Sequence, residues 1–224
     1  MEVYLVHPEK PVDRAVIVLQ TAFGVDDYLQ DVTQRIAARG FVALAPNLFH
    51  RHGIAALPFD RHIEAVSLVD ATGIEDITVD IRAALDYVGA RGIAAKRTAI
   101  VGFCFGGRAA FTAAATVPSL AAAVVFYGPG IASGSHAVLD RAASIHAPLM
   151  IHVGDDDPLI PIDDIRAIET ELRSAGVDFE QHIYSDAGHA FASESRPQFY
   201  RPEQAEQAWH RTHAFLDNHL PVGP

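Results

Sequence analysis

Residues 98–107 read Thr-Ala-Ile-Val-Gly-Phe-Cys-Phe-Gly-Gly, and this stretch decides the fold. An apolar run suited to a buried strand ends at Gly102, and Cys104 then stands midway between Gly102 and Gly106. The pattern predicts a strand, a tight turn that carries a nucleophile, and a helix that begins directly after it. A thiol there lies at a helix N-terminus, where the dipole and free N–H groups favour the thiolate. The alternative is a buried core thiol whose neighbouring glycines only permit close packing.

Outside this stretch, short apolar runs alternate with longer segments of helical period. The predicted strands are 3–6, 15–19, 41–45, 98–101, 121–127, 149–153 and 179–184. The predicted helices are 29–39, 61–70, 74–91, 105–116, 162–175 and 202–219. Nearly continuous apolar strands separated by helices are typical of a parallel sheet that is covered on both faces. We therefore expect one α/β domain over residues 1–224, with roughly seven or eight mostly parallel strands, flanking helices and no separate cap domain.

Composition and charge narrow the class of protein. The 224 residues include 17 Lys and Arg against 28 Asp and Glu, a net charge of −11 that disfavours nucleic-acid binding. A hydrophobic content of 50% argues against disorder, and no continuous apolar run is long enough to span a membrane. With one cysteine and no visible signal peptide, we expect a cytoplasmic protein without an internal disulfide. It would be a monomer or a small homo-oligomer with no nucleic-acid or membrane partner.

A cysteine nucleophile needs a base, and the base needs a group that orients it. Asp155, Asp156 and Asp157 follow one predicted strand, and His189 follows the last one. Because the carboxyl ends of parallel strands meet at one edge of the sheet, we expect these side chains to lie close to Cys104. The alternatives remain open, since the aspartate run is also typical of a solvated turn or helix cap, and the chain has 12 histidines.

Five stretches resemble the dienelactone hydrolases (carboxymethylenebutenolidases), a cysteine branch of the α/β-hydrolases. They are Gln20–Gly24, Ala45–Leu48, Gly102–Gly107, His152–Pro161 and Ala187–Phe191, and the similarity covers nearly the whole chain. The chain order of nucleophile, acid and histidine is also that of the α/β-hydrolases. The resemblance implies an α/β-hydrolase fold that hydrolyses an ester or enol-lactone of a small substrate, with no metal and no cofactor.

The resemblance also implies a role for particular residues. Carried over, Cys104 is the nucleophile, His189 the base and Asp157 the acid of a catalytic triad. The N–H groups of Phe105 and Ala22 form the oxyanion hole. The reaction then runs through a thioester acyl-enzyme on Cys104.

One departure from the family concerns the resting thiol. Thr21 stands where the family has a glutamate that takes the thiol proton. A hydroxyl cannot hold a negative charge at neutral pH. The sequence therefore predicts direct proton transfer from Cys104 to His189.

A second departure concerns two arginines that bind the substrate carboxylate in the family. Ser193 stands in place of one of them, and the other falls on Arg61 or its neighbour His62. Arg196 or Arg51 could supply the missing cation. These five residues and Thr21 are the candidates for substrate binding.

Other functions remain compatible with the sequence. The same fold also occurs in non-catalytic ligand-binding proteins and in general carboxylesterases or thioesterases of small esters. A redox sensor would use the single low-pKa thiol, but the chain has no second cysteine to resolve a sulfenic acid.

Overall fold

Seven strands form one sheet in the computed structural model, which describes residues 1–223. They are β1 (Val3–Val6), β2 (Ala15–Leu19), β3 (Val42–Pro46), β4 (Thr98–Phe103), β5 (Ala122–Phe126), β6 (Leu149–Gly154) and β7 (Phe179–Tyr184). The order across the sheet is β1-β3-β2-β4-β5-β6-β7, and every pair is parallel except β1 with β3. The predicted fold class, a mostly parallel sheet flanked by helices, is confirmed.

Six α-helices within residues 1–223 cover the sheet. They are α1 (Asp27–Ala38), α2 (His62–Asp70), α3 (Ile74–Gly89), α4 (Phe105–Thr116), α5 (Ile162–Ser174) and α6 (Pro202–His219). One hydrophobic layer joins the sheet to α3 and α4, and a second joins its other face to α1 and α6. Because β2 and β4 are covered on both faces, all of their residues are buried. No helix in the described part of the chain is both long and apolar enough to cross a membrane.

The predicted element boundaries differ from the observed ones by at most two residues, and five elements match at both ends. The predicted strand 98–101 continues to Phe103, because Phe103 still pairs with Phe126 on β5. The predicted helix 74–91 ends at Gly89, because the N–H of Ile93 turns back to the carbonyl of Val88 (3.1 Å). The extension of β4 matters most, since the strand then runs directly into Cys104.

The strand order brings four segments to one edge of the sheet. Ala22 follows β2, Cys104 follows β4, Asp157 follows β6, and His189 follows β7. Parallel strands end at the same edge, so residues far apart in sequence become neighbours there.

Candidate active site

Cys104 occupies the turn between β4 and α4. Its backbone has φ 56° and ψ −117°, in a region that non-glycine residues seldom adopt. Gly106 lies so close to β2 that a Cβ there would collide with the carbonyls of Leu19 and Gln20. The chain can therefore turn sharply from strand to helix, and the partly buried thiol is held at the helix N-terminus.

His189 and Asp157 are joined by a hydrogen bond. His189 Nδ1 donates to Asp157 Oδ2 at 2.9 Å, and the N–H of Leu159 donates to Asp157 Oδ1, also at 2.9 Å. The Asp157 side chain is fully buried, whereas Asp155 and Asp156 are exposed. Of the three consecutive aspartates, only Asp157 is brought to the histidine.

The loops that carry Asp157 and His189 touch at their bases. Gly154, at the end of β6, lies against the carbonyl of Ala187, and a Cβ on Gly154 would collide with it. The N–H of Asp156 donates to the same carbonyl at 3.1 Å. Asp155 accepts a hydrogen bond from the N–H of Asp186 at 3.0 Å. These contacts fix the two loops against each other.

Cys104 and His189 influence each other's protonation. Burial raises the pKa of the Cys104 thiol, but the charge of His189 and hydrogen bonds to the sulfur outweigh burial and lower it overall. Burial lowers the pKa of His189, but Cys104 and the hydrogen bond with Asp157 outweigh it and raise the pKa. Nε2 of His189 is buried and has no hydrogen-bond partner of regular geometry in residues 1–223. The arrangement favours a thiolate–imidazolium pair in the resting protein.

Two backbone N–H groups act on the sulfur. They belong to Phe105, in the first turn of α4, and to Ala22, in the loop after β2, and both lower the pKa of Cys104 after burial has raised it. These are the residues that the resemblance assigns to the oxyanion hole. A pair of preorganised donors beside a nucleophile is suited to stabilising an oxyanion.

Thr21 is engaged with its own loop. Its Oγ1 accepts a hydrogen bond from the N–H of Phe23 at 3.2 Å, and its carbonyl accepts one from the N–H of Gly24 at 3.3 Å. The side chain thus stabilises the loop that presents the N–H of Ala22.

Arg196 lies against aromatic rings at the mouth of the site. Its Cζ is 3.9 Å from the ring centroid of Phe59 and 4.6 Å from that of Phe23. Asp26 is the one carboxylate within 4 Å of the guanidinium in residues 1–223, at 3.5 Å, and the side chain is only 12% exposed. Burial lowers the pKa of Arg196, while Asp26 and Cys104 oppose that shift. Its positive charge is therefore close enough to act on the thiol.

The other predicted substrate-binding residues are placed differently. Arg61 is exposed and pairs with Glu64, while His62 packs its ring edge-on against Phe23 (centroids 5.3 Å apart). Ser193 is buried, with its Oγ 3.3 Å from that of Ser195. Arg51 is held away from the site by Asp80 on α3, through two hydrogen bonds of 2.7 and 2.9 Å. Of these three arginines, Arg196 is the one whose pKa is influenced by Cys104.

Sequence reasoning missed two residues of this site. Phe59, in the loop before α2, contributes a ring to the mouth, and no pattern in that loop marks it. Tyr127, directly after β5, packs edge-on against His189 with ring centroids 5.3 Å apart. Its place at the end of a predicted strand, before Gly128, was the available signal.

A wide groove lies away from Cys104. It has a volume of about 880 Å³ and runs between α1 and α6, with Arg35, Tyr200 and Trp209 in its walls. It contains none of the strand-end residues, so chemistry rather than size locates the candidate site. No group of three His, Cys, Asp or Glu side chains suited to a metal ion is found in residues 1–223.

Comparisons with known proteins identify the family of this chain. The sequence model of the dienelactone hydrolase family matches residues 1–220. A "putative carboxymethylenebutenolidase" of Yersinia pestis is 34% identical over 208 residues, which cover 91% of this chain and 78% of the relative. The carboxymethylenebutenolidase of Pseudomonas sp. (strain P51) is 32% identical over 213 residues, 93% of this chain and 86% of the relative.

A crystal structure from Klebsiella pneumoniae subsp. pneumoniae, described as a "putative dienelactone hydrolase", superposes with a TM-score of 0.86. It is 30% identical, and the match covers 96% of this chain and 91% of that one. Both the sequence and the fold therefore point to a hydrolase of esters or lactones. The chain belongs to the dienelactone hydrolase family.

Proposed function

We propose that this protein hydrolyses a small ester or enol-lactone through a thioester on Cys104, with His189 and Asp157 completing the triad. The observation that carries the proposal is the 2.9 Å hydrogen bond between His189 and Asp157 beside a thiol in a strained turn. A buried acid–histidine pair next to a nucleophile is the arrangement that acyl transfer requires.

The first half of the reaction forms the acyl-enzyme. The thiolate of Cys104 attacks the substrate carbonyl carbon, and the N–H groups of Phe105 and Ala22 stabilise the resulting oxyanion. The tetrahedral intermediate collapses, the carbon–oxygen bond breaks, and the Nε2 proton of His189 passes to the leaving alkoxide or enolate. A thioester with Cys104 remains.

The second half releases the acid. His189, now neutral, takes a proton from water as the water oxygen attacks the thioester carbonyl. The thiolate leaves, the product carboxylic acid is released and ionises, and the thiolate–imidazolium pair is restored. Asp157 holds the imidazole in the required tautomer and stabilises its cation in both halves.

Arg196 is the proposed partner for a carboxylate on the substrate. The family names of the relatives describe a carboxymethylene butenolide, and a net charge of −11 would repel such an anion without a local cation. Arg196 is held by Phe59 and Phe23, and only a long contact with Asp26 occupies its charge. Arg61 is neutralised by Glu64 and exposed.

Rapid mixing with p-nitrophenyl acetate tests this function. We expect a burst of one p-nitrophenolate per Cys104, and mass spectrometry of acid-quenched protein should find one acyl group on that residue. Cys104→Ala should abolish the burst, and it should lower the turnover rate by at least about 10³-fold. Turnover without a burst that persists in Cys104→Ala would contradict the thioester route. A wild-type protein that does not react with p-nitrophenyl acetate would instead favour a ligand-binding function.

A further inference from the structure

β7 is the last strand of the sheet, and one side of it has no partner. On the other side, the carbonyl of Tyr184 accepts a hydrogen bond from the N–H of Asp155, which follows β6, at 3.0 Å. Because hydrogen bonding alternates from side to side along a strand, Phe179, Gln181 and Ile183 direct their N–H and C=O groups to the open side. In residues 1–223, no other strand pairs with β7, and no turn or loop forms a backbone hydrogen bond there.

This edge carries few of the features that usually protect an edge strand. β7 is six residues long and contains no proline, glycine or lysine. β1, at the opposite edge, is four residues long and is followed closely by Pro8 and Lys10. An unprotected edge strand is a template for the pairing of another strand.

The side chains of β7 are arranged symmetrically about Gln181. Glu180 and His182 stand next to it on either side, and Phe179 and Ile183 stand one position further out. Suppose that a second copy pairs antiparallel, with Gln181 opposite Gln181. Glu180 then faces His182 of the second copy, and Phe179 faces Ile183, and both kinds of pair are favourable cross-strand neighbours. Ile183 is 48% exposed and the Glu180 side chain is 54% exposed, so both are accessible.

The same register also satisfies the open backbone groups. Across an antiparallel pair, residues that exchange hydrogen bonds lie directly opposite each other and alternate with residues that do not. With Gln181 on the two-fold axis, the outward-directed residues Phe179, Gln181 and Ile183 meet one another, so their N–H and C=O groups are all paired. A shift by one residue would instead place them opposite residues whose backbone groups point to β6.

We propose that β7 is a self-association surface, on which a second copy of this chain adds its own β7 antiparallel and continues the sheet across a two-fold axis. Such an interface is self-complementary, as closed symmetric dimers require. Two short strands bury little surface, so we expect a weak dimer with a dissociation constant in the micromolar range. The inference is independent of the proposed reaction, because no triad residue lies in β7.

Sedimentation velocity tests the association directly. Over about 1 to 300 µM wild-type protein, the average mass should rise from that of one chain toward that of two. Salt of about 0.15 M screens the repulsion between two chains of net charge −11. A mass that stays at one chain throughout this range would overturn the inference.

An exposed apolar residue on the strand tests the surface. Ile183→Lys should raise the dissociation constant at least about tenfold, because it replaces the apolar pair by a charge at the edge. Val79→Lys is the matched control, since this residue on α3 is 57% exposed and the change in charge is the same. Its dissociation constant should stay within about twofold of the wild-type value. Equal dissociation constants in the two variants would place the dimer contact elsewhere and overturn the inference.

A change of the backbone tests the strand pairing itself. Gln181→Pro removes the outward-directed N–H on the two-fold axis, and it should abolish association at all of these concentrations. That N–H makes no bond within the single chain, so the melting temperature of dilute protein should stay close to the wild-type value. Wild-type association by a variant that keeps this melting temperature would exclude pairing through β7.

Disulfide formation tests the register. In Cys104→Ala protein, which lacks the native thiol, Gln181→Cys should form a disulfide-linked dimer under mild oxidation, because opposed Cα atoms lie about 5.5 Å apart. Ile183→Cys is the more exposed control and should not cross-link, because the two copies of residue 183 lie about 13 Å apart along the strands. Cross-linking of Ile183→Cys in preference to Gln181→Cys would overturn the proposed pairing.

Discussion

The strand-end half of the site and its mouth are built in different ways. At the strand ends, the backbone determines the geometry: Gly106 lies against β2, and the N–H groups of Phe105 and Ala22 lower the pKa of one thiol after burial has raised it. At the mouth, side chains from separate loops determine it, with Arg196 lying against Phe59.

This difference suits the strand ends to the reaction and the mouth to substrate specificity. Backbone geometry tolerates few replacements, so the strand ends are suited to one chemistry, the proposed acyl transfer to Cys104. The mouth depends on long side chains in loops, which can be exchanged without disturbing the sheet. In the proposed function, Arg196 takes over the role that the family resemblance assigns to position 193, where this chain has a serine, and this would be an exchange of this kind.

Breaking the strand-end half should have the largest effect. Asp157→Asn removes the carboxylate that holds His189, and we expect kcat for p-nitrophenyl acetate to fall by about 10³-fold or more. Asp155→Asn is the matched control, because that side chain is exposed and bonds only to the N–H of Asp186. If Asp155→Asn were the more damaging change, Asp157 would not be the acid.

Breaking the mouth should change specificity and spare the chemistry. Mono-p-nitrophenyl glutarate is an activated ester that carries a free carboxylate. Arg196→Gln should lower kcat/KM for this ester by about 10- to 100-fold, as expected for a lost charge-assisted hydrogen bond. Its effect on p-nitrophenyl acetate should be small. The control Arg61→Gln should change neither value by more than about twofold, since Arg61 is exposed and paired with Glu64. A larger loss in Arg61→Gln would move the carboxylate site to α2.

Thr21 lies between the two halves, and its replacement tests the resting thiolate. The lowered pKa of Cys104, in which the charge of His189 outweighs burial, predicts rapid alkylation by iodoacetamide near neutral pH. Thr21→Glu places a negative charge nearby, which disfavours the thiolate and raises that pKa. At pH values below the pKa of Cys104, a rise of one unit corresponds to about tenfold slower alkylation. Equal rates from about pH 6 to 9 would show that the residue 21 side chain points away from Cys104.

Replacing His152 should have the smallest effect, and that effect should be on stability alone. It is fully buried on β6 between Tyr184 and Thr212, both at 2.9 Å, and burial lowers its pKa well below the ordinary value. Below about pH 6.5 the imidazole therefore binds a proton in the unfolded chain but stays neutral in the folded protein. Because the unfolded state then binds more protons, the unfolding free energy should fall by about 1 kcal/mol from pH 6.5 to 5.5.

Urea titrations of two variants measure this contribution. His152→Gln should flatten the pH dependence, because the amide cannot titrate, while the exposed His7→Gln should leave it as in the wild type. Identical slopes in all three proteins would mean that other groups cause the acid sensitivity.

The strand-end half could be predicted from the sequence because its determinants are local. Glycine spacing around Cys104 specifies the turn, and a strand followed by a short polar loop specifies where Asp157 and His189 emerge. The choice of Asp157 among three aspartates came from the family resemblance, and it is burial in the fold that sets this carboxylate apart.

The mouth could not be predicted because its contacts are not local. Phe59 and Arg196 are separated by more than half of the chain, and nothing near either residue indicates their stacking. Arg61 and Arg196 look alike in sequence, and only the neighbouring Glu64 and the aromatic rings distinguish them.

The contact between Gly154 and Ala187 has a consequence for recombination among relatives. Since the carbonyl of Ala187 occupies the place of a side chain at position 154, the segments after β6 and β7 must match in shape. A chimera that takes only one of these two segments from a homologue would combine it with a neighbouring segment of a different shape. The acid and the histidine, 32 positions apart, are therefore best exchanged together as one module.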